Sequence, residues 1–229
     1  MVTEGTDLIS KLPKWVEAGA FILAFIAGSV NAIGLLGFKH QSVSHLSGTA
    51  TLVGTQLLNS SYTDLFHLSG IMLSFMLGAA LSGALLTGSS LKLGRHYDTL
   101  LVIEGLCLLS AIYLLQGGSF YGHYMASAAC GLQNALATTY SGAIVRTTHV
   151  TGIFTDLGIM LGTTLKGERF DRRKAILFLL IIIGFISGGT FGALLFNQMQ
   201  FQALAGPALI CFILAITYRI YKTKTAPRR

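Results

Sequence analysis

Charge is scarce in this chain: 11% of its 229 residues are Asp, Glu, Lys or Arg and 52% are hydrophobic, where a soluble domain carries about 25% charged residues. That shortage excludes an ordinary soluble globule, which has more apolar-free surface to clothe. Cysteine is sparse as well. Cys107, Cys130 and Cys211 all lie inside apolar runs with no metal-ligand spacing. They imply neither a disulfide framework nor a thiolate metal site, and each reads as a small packed hydrophobe. No linker divides the chain, so its length suits one compact unit. The residues up to Glu17 are polar and mixed in charge. They lack the apolar core and small-residue cleavage site of a signal peptide, so the first apolar stretch is expected to remain as a span. The formal charge of +7 raises nucleic acid as a partner. The basic residues, however, sit between apolar stretches and at the chain ends, where they suit cytoplasmic anchors and no nucleic-acid contact.

What is present is a series of apolar runs. Six approach the roughly 20 residues that cross a bilayer: residues 18–38, 65–88, 99–116, 119–139, 175–196 and 203–218. Two others, 47–58 and 151–165, are shorter and rich in Thr and Gly. Loop charge decides how these two behave. If neither crosses and Lys11 and Lys14 are cytoplasmic, then Lys92 and Arg95, the run KGERFDRRK at 166–174, and the tail with Arg219, Lys222, Lys224, Arg228 and Arg229 share that side. The connections 59–64, 117–118 and 197–202 carry no Lys or Arg, and Lys39 alone falls outside. Full crossing by both short segments would move Lys92 and Arg95 outward, against the positive-inside rule. The sequence therefore predicts an all-α membrane protein with about six transmembrane helices and both termini cytoplasmic.

The two halves match in three places and in the same order. Gly28-Ser-Val-Asn31-Ala32 recurs as Gly131-Leu-Gln-Asn134-Ala135. His45-Leu-Ser47-Gly48-Thr-Ala-Thr51 recurs as His149-Val-Thr151-Gly152-Ile-Phe-Thr155. Phe75-Met-Leu-Gly78 recurs as Phe185-Ile-Ser-Gly188. The spacing grows from 103 (28 to 131) to 104 (45 to 149) to 110 (75 to 185). Each half holds three spans, an odd number, so the second copy must be inverted relative to the first. The expected organisation is a cytoplasmic segment 1–17, a first repeat 18–116, an inverted second repeat 119–221 and a basic cytoplasmic tail 222–229. Each repeat of this 3+3 inverted arrangement carries one re-entrant half-helix.

The segments SVSHLSGTATLVG and VRTTHVTGIFTDLG, with GLQNA before the second, resemble the YoaK-like family of bacterial inner-membrane proteins. The resemblance covers nearly the whole chain. It implies a bacterial inner-membrane location and a six-span domain. It carries no activity, because the family is largely known as a domain of unknown function.

The candidate site comes from the residues themselves. Seven extended residues, 39–45, reach about 23 Å, enough to approach the bilayer midplane before a short helix returns to the surface. Ser47 and Thr151 are expected N-caps, and Gly48 and Gly152 allow close backbone approach. Two half-helix N-termini aimed at one point suit an anion or the negative end of a polar solute. The expected solute-binding set is His45, Ser47, Gly48 and Thr51 with Asn31 from the first repeat, and Arg146, His149, Thr151, Gly152 and Thr155 with Asn134 from the second. Asp156, on the helical face of His149 and Gly152, and Glu104, the sole acidic residue of the six spans, are the candidate coupling-ion groups. Each has a plainer reading. The Ser, Thr and His residues also suit polar packing between repeats, Asp156 a structural pair with Arg146, and Glu104 an interfacial place. Asn31, Gln133 and Asn134 line the same cavity or bond unwound backbone. His67 and His123 fall near the outer span ends.

Small residues repeat every fourth position at Ser74, Gly78 and Ser82 and at Gly184, Gly188 and Gly192. Such stripes predict the crossing between the repeats, and a homodimer contact is also open to them. The function expected is a secondary carrier, with proton coupling as one form, for a small polar or anionic solute. A passive channel and a non-transport sensor or assembly protein remain alternatives. An intramembrane enzyme would need His and Asp groups converging on a metal, and no such cluster is visible in the sequence, so neither enzyme activity, metal nor cofactor is expected.

Overall fold

A computed structural model describes residues 15–37, 42–59, 62–86, 96–141 and 145–225. Lys11, Lys14, Lys39, Lys92, Arg95, Arg228 and Arg229, on which the expected orientation leans, lie outside the described residues. Among the described residues every regular element is helical. These are α1 (Trp15–Leu36), α2 (Leu46–Asn59), α3 (Tyr62–Leu85), α4 (Tyr97–Gln116), α5 (Tyr121–Ser141), α6 (Val150–Leu165), α7 (Arg172–Met199), a 3-10 turn (Gln200–Leu204) and α8 (Ala205–Thr225).

Length separates these helices into two kinds. At about 1.5 Å per residue, the 22 residues of α1 extend about 33 Å, enough for a hydrocarbon core of about 30 Å. The 14 residues of α2 and the 16 of α6 extend only about 21 and 24 Å. Four stretches are long and apolar enough to cross a membrane: Trp15–Leu36, Tyr62–Leu85, Tyr97–Gln116 and Arg172–Lys224, the last containing both α7 and α8. The chain reverses inside that last stretch at the 3-10 turn, entered through Gln200 at φ 52°, a left-handed conformation uncommon outside glycine. Helix α5 has the length to cross, with 21 residues, but is more polar. Its polar side chains point inward: His123, Ser127, Gln133 and Ser141 are all buried. It packs on α3 and α4, so the polarity of α5 belongs to a central helix.

The long helices alternate in direction. Trp15 at the start of α1 lies against Tyr140 at the end of α5, and Tyr97 at the start of α4 lies against both Tyr140 and Tyr218 at the end of α8. Arg173 at the start of α7 bridges to Glu17 at 3.3 Å. The opposite end of the bundle gathers Ile33 and Gly34 of α1, Leu115 of α4, His123 of α5 and Leu204 of the 3-10 turn. The start of α3 joins that end, where His67 meets His123 with ring centroids 5.3 Å apart. Both histidines are near the ends of their helices, as the sequence suggested, and both are buried, at 4% and 1% exposure. Packing aromatic neighbours around them, Phe120 and Tyr124, removes them from the surface.

The glycine stripes explain which helices pair. A Cβ on Gly28 would strike the Phe185 carbonyl, and one on Gly188 the Phe25 carbonyl, so α1 and α7 touch backbone to backbone. On the other pair, a Cβ on Gly131 would strike the Phe75 carbonyl and one on Gly78 the Ala128 carbonyl, joining α5 to α3. Without side chains in the way, helices approach closely enough for dispersion to act along their length. Ser29 fits the same seam: its hydroxyl lies 2.9 Å from the Phe25 and Gly188 carbonyls and can donate to either. The stripe 184–188–192 is thus consumed by α1 within the chain, Gly192 standing against Ser29. Outside the seams, large apolar side chains face outward in numbers no soluble surface carries, among them Leu58 (87% exposed), Tyr113 (80%) and Leu165 (89%).

Candidate functional site

The two His-containing motifs converge. His45, just ahead of α2, lies within electrostatic reach of His149, just ahead of α6. The His45 ring also stacks on Phe185, with centroids 5.6 Å apart and planes 13° from parallel. Phe185 stands midway along the 28 residues of α7, so the N-termini of both short helices meet at the mid-height of the bundle. From there α2 runs along α3 and α6 along α7.

Local hydrogen bonds hold the first motif. Ser42 and Ser44 both donate to Asn31 Oδ1, at 2.6 and 2.8 Å. The His45 N–H donates to Ser42 Oγ at 2.8 Å. Ser127, buried on α5, places its hydroxyl 2.9 Å from the carbonyls of Val43 and Ile71, which fastens this loop to α3 and α5. Thr49 is buried beneath His45, whose carbonyl lies 3.3 Å from the Thr49 hydroxyl. Asn31 therefore acts on the loop rather than toward an opening. Sequence reasoning passed over Ser42, Ser44 and Ser127; the alternation Ser42-Val43-Ser44 before His45 was the available signal for the first two.

The second motif has a different set of contacts. Arg146 occupies the place of Ser42, three residues before His149, and its side chain is exposed. Asn134 Oδ1 and Thr147 Oγ1 are buried with no hydrogen-bond partner. Gln133 instead donates across to the Leu23 carbonyl at 2.7 Å, tying α5 to α1. Ser141 caps the loop by accepting from the Val145 N–H at 2.8 Å. The two amides should thus respond differently to substitution. Asn31→Ala is expected to cost about 1–3 kcal/mol, since the buried Ser44 and half-buried Ser42 hydroxyls lose their acceptor, and to speed amide exchange over 42–49. Asn134→Ala should cost less than about 1 kcal/mol. Equal losses in thermal unfolding would contradict this account of the first loop.

Ser47 and Thr151 are not the expected N-caps. Helix α6 starts at Val150 with His149 as its cap residue, and no side chain caps it. Ser47 and Thr151 lie one residue inside their helices, where their carbonyls each accept a 3.0 Å bond from Thr51 and Thr155. The helices begin two residues earlier than those caps would set, at Leu46 and Val150, leaving the histidines at the junction. N-terminal N–H groups without a side-chain cap are open to another acceptor. Gly48 has open space around it, and the nearest atom to a Cβ on Gly152 would be His149 Nδ1 at 3.8 Å. Ser47, Gly48, Thr51, Thr151, Gly152, Thr155 and Asp156 are all exposed.

Glu104 is not part of this convergence. It is 1% exposed on α4, hydrogen-bonded to Cys211 of α8, with Oε2 lacking a partner. Its surroundings are Cys107, Cys130 and Cys211, so α5 and α8 close over it.

Long apolar helices, backbone-to-backbone crossings and two short helices meeting at mid-height define an all-helical protein of the membrane class. The chain belongs to the family described as protein of unknown function (DUF1275), which matches residues 19–217 and agrees with the YoaK-like resemblance. Among curated proteins and solved structures nothing matches it.

Proposed function

We propose that the chain is a secondary carrier of a small polar or anionic solute in the bacterial inner membrane, with its site between the N-termini of α2 and α6. The observation that carries this reading is the meeting of His45 and His149 midway along α7. Two helix N-termini, each worth about half a positive charge, then share one locus with two imidazole donors and, close by in sequence, Arg146. Such a constellation favours an acceptor-rich solute.

The same reading takes α1–α4 and α5–α8 as a 3+3 inverted repeat with six spans, two re-entrant half-helices and cytoplasmic termini. Its support is the exchange of partners: Gly28 meets Phe185 as Gly131 meets Phe75, and these residues are equivalent in the sequence repeat. Irregular backbone at membrane depth, as before α2 and α6, is tolerated only inside protein or beside a wet cavity. No catalytic group is assigned and no cofactor is invoked. Glu104 and Asp156 are the groups through which protons would couple.

A thermal-shift screen of the purified chain against nitrate, formate, acetate, phosphate and neutral polar solutes tests the reading, followed by flux of any hit in vesicles. Binding of a hit with gradient-dependent flux supports a carrier, and flux indifferent to a proton gradient would move the reading to a channel. If Glu104→Gln and Asp156→Asn both leave pH-dependent flux intact, the coupling assignment is wrong. Cysteines placed at Lys92 and Glu168 should label from the same side, and labelling from opposite sides would sink the topology.

A further inference from the structure

At the Trp15 end of the bundle, small side chains leave the space between α1, α4, α5 and α8 unfilled. Ala18, Gly19 and Ala20 of α1 and Ala137 of α5 line a cavity of about 420 Å³ there. A Cβ on Gly19 would have nothing within 4 Å. An apolar cavity of about 150 Å³ already holds benzene, so this one has room for a larger molecule. It is separate from the His45–His149 junction, since neither histidine is among its walls.

The walls say what kind of molecule fits. They run along α1 from Trp15 to Leu23, a depth of about 12 Å at 1.5 Å per residue. Apart from the hydroxyls of Thr217 and four tyrosines, the lining side chains are hydrocarbon or indole, and none is charged. A polar solute would give up its hydration there for almost no return. A peptide segment, from this chain or a second copy, would bring backbone N–H and C=O groups that such walls can scarcely pair. Hydrocarbon enters without either cost.

The mouth says where the hydrocarbon comes from. Helices α1 and α8 make little contact, and the lining residues exposed along them are Trp15, Ala18, Thr217 and Tyr221. Beside this opening α8 turns Ile213, Ile216 and Ile220 outward, a surface that suits the bilayer interior. Trp and Tyr gather at headgroup level, and Trp15, Tyr97, Tyr140 and Tyr218 pack on one another at this end. Lys222 and Lys224 follow in the last turn of α8. They outnumber Asp98, which lies beside Tyr218, while Glu17 is taken up by Arg173.

We infer that this cavity binds one acyl chain of an anionic phospholipid, which enters between α1 and α8 with its headgroup beside Lys222 and Lys224. The chain occupies the space left by Gly19 and joins two helices that otherwise hardly meet.

The full chain has one tryptophan, Trp15, so its fluorescence reads the cavity. In phosphatidylcholine nanodiscs, phosphatidylglycerol with brominated chains should quench Trp15 saturably at a low mole fraction. Brominated phosphatidylcholine should quench only in proportion to its share of the bilayer. Gly19→Leu fills the cavity without a clash, and Thr217→Phe narrows the mouth. Each should raise the half-quenching mole fraction at least about tenfold, with unfolding in lipid-free detergent no lower than in the wild type. Lys222→Ala, Lys224→Ala should erase the preference for phosphatidylglycerol. Quenching that rises linearly with mole fraction, or that is the same in wild type and both variants, reports bulk lipid and overturns the inference. Saturation by a free brominated fatty acid at a lower mole fraction than by phosphatidylglycerol also overturns it. None of these readouts depends on the solute site.

Discussion

Gly188→Leu is expected to leave little folded protein, whereas Gly83→Leu, on an equally apolar helix, is expected to be neutral or slightly stabilising. The difference is one of space. At Gly188 even a Cβ would run into the Phe25 carbonyl and Cα, so a leucine must push α7 away from α1. Overpacking a core by a few methylenes typically costs about 1–3 kcal/mol. Here the obstacle is backbone, which cannot rotate aside, and separation also weakens the whole seam and the Ser29 contact with the Gly188 carbonyl, so a loss above about 3 kcal/mol is expected. At Gly83 nothing lies within 4 Å, and replacing a helical glycine recovers about 1 kcal/mol of helix propensity. Trp15, the one tryptophan, packs against Tyr140 and reports unfolding through its fluorescence. Gly78→Leu, against the Ala128 carbonyl, should match Gly188→Leu. A mild effect at one and a severe effect at the other would separate the two seams energetically and weaken the repeat reading.

The double substitution His45→Ala, His149→Ala should weaken binding of any solute found by the screen by at least about tenfold and remove its flux. Each imidazole offers a hydrogen bond to an acceptor at the half-helix junction, and a bond to a charged group contributes about 1.5–3 kcal/mol, so two lost bonds readily exceed a factor of ten. Removing the His45 ring also frees Phe185 from its stacked neighbour. Single variants should each fall between wild type and the double. His67→Ala, which alters the other histidine cluster at the far end of the bundle, provides the comparison: it should lower thermal stability while leaving solute affinity within about twofold, because its loss acts on packing. Solute binding unchanged in the double His45, His149 variant would remove the site from this junction.

The helices were readable because hydrocarbon imposes its length on the sequence. Runs 65–88 and 99–116 fall within three residues of α3 and α4 at each end, and the segments 47–58 and 151–165 fall within one residue of α2 and α6. The shortness of those two was a matter of counting, and so was their Thr and Gly content. Helix ends were less readable, since Ser47 and Thr151 looked like caps while the helices begin at Leu46 and Val150.

What the residues alone determined, then, is the class, the helices, the family and the fact that two motifs repeat. These follow from composition and spacing, which act locally. Three things were left to tertiary structure. One is the placing of His45 beside His149 and Phe185, since residues 104 positions apart (45 to 149) acquire a distance only when four helices are packed. Another is the division of alike residues by their surroundings: Asn31 gains two hydroxyl donors while Asn134 gains none at Oδ1, and Glu104 is enclosed by α5 and α8. The last is which glycines are filled and which are open, because a missing Cβ has meaning only when one knows what backbone stands where it would have been.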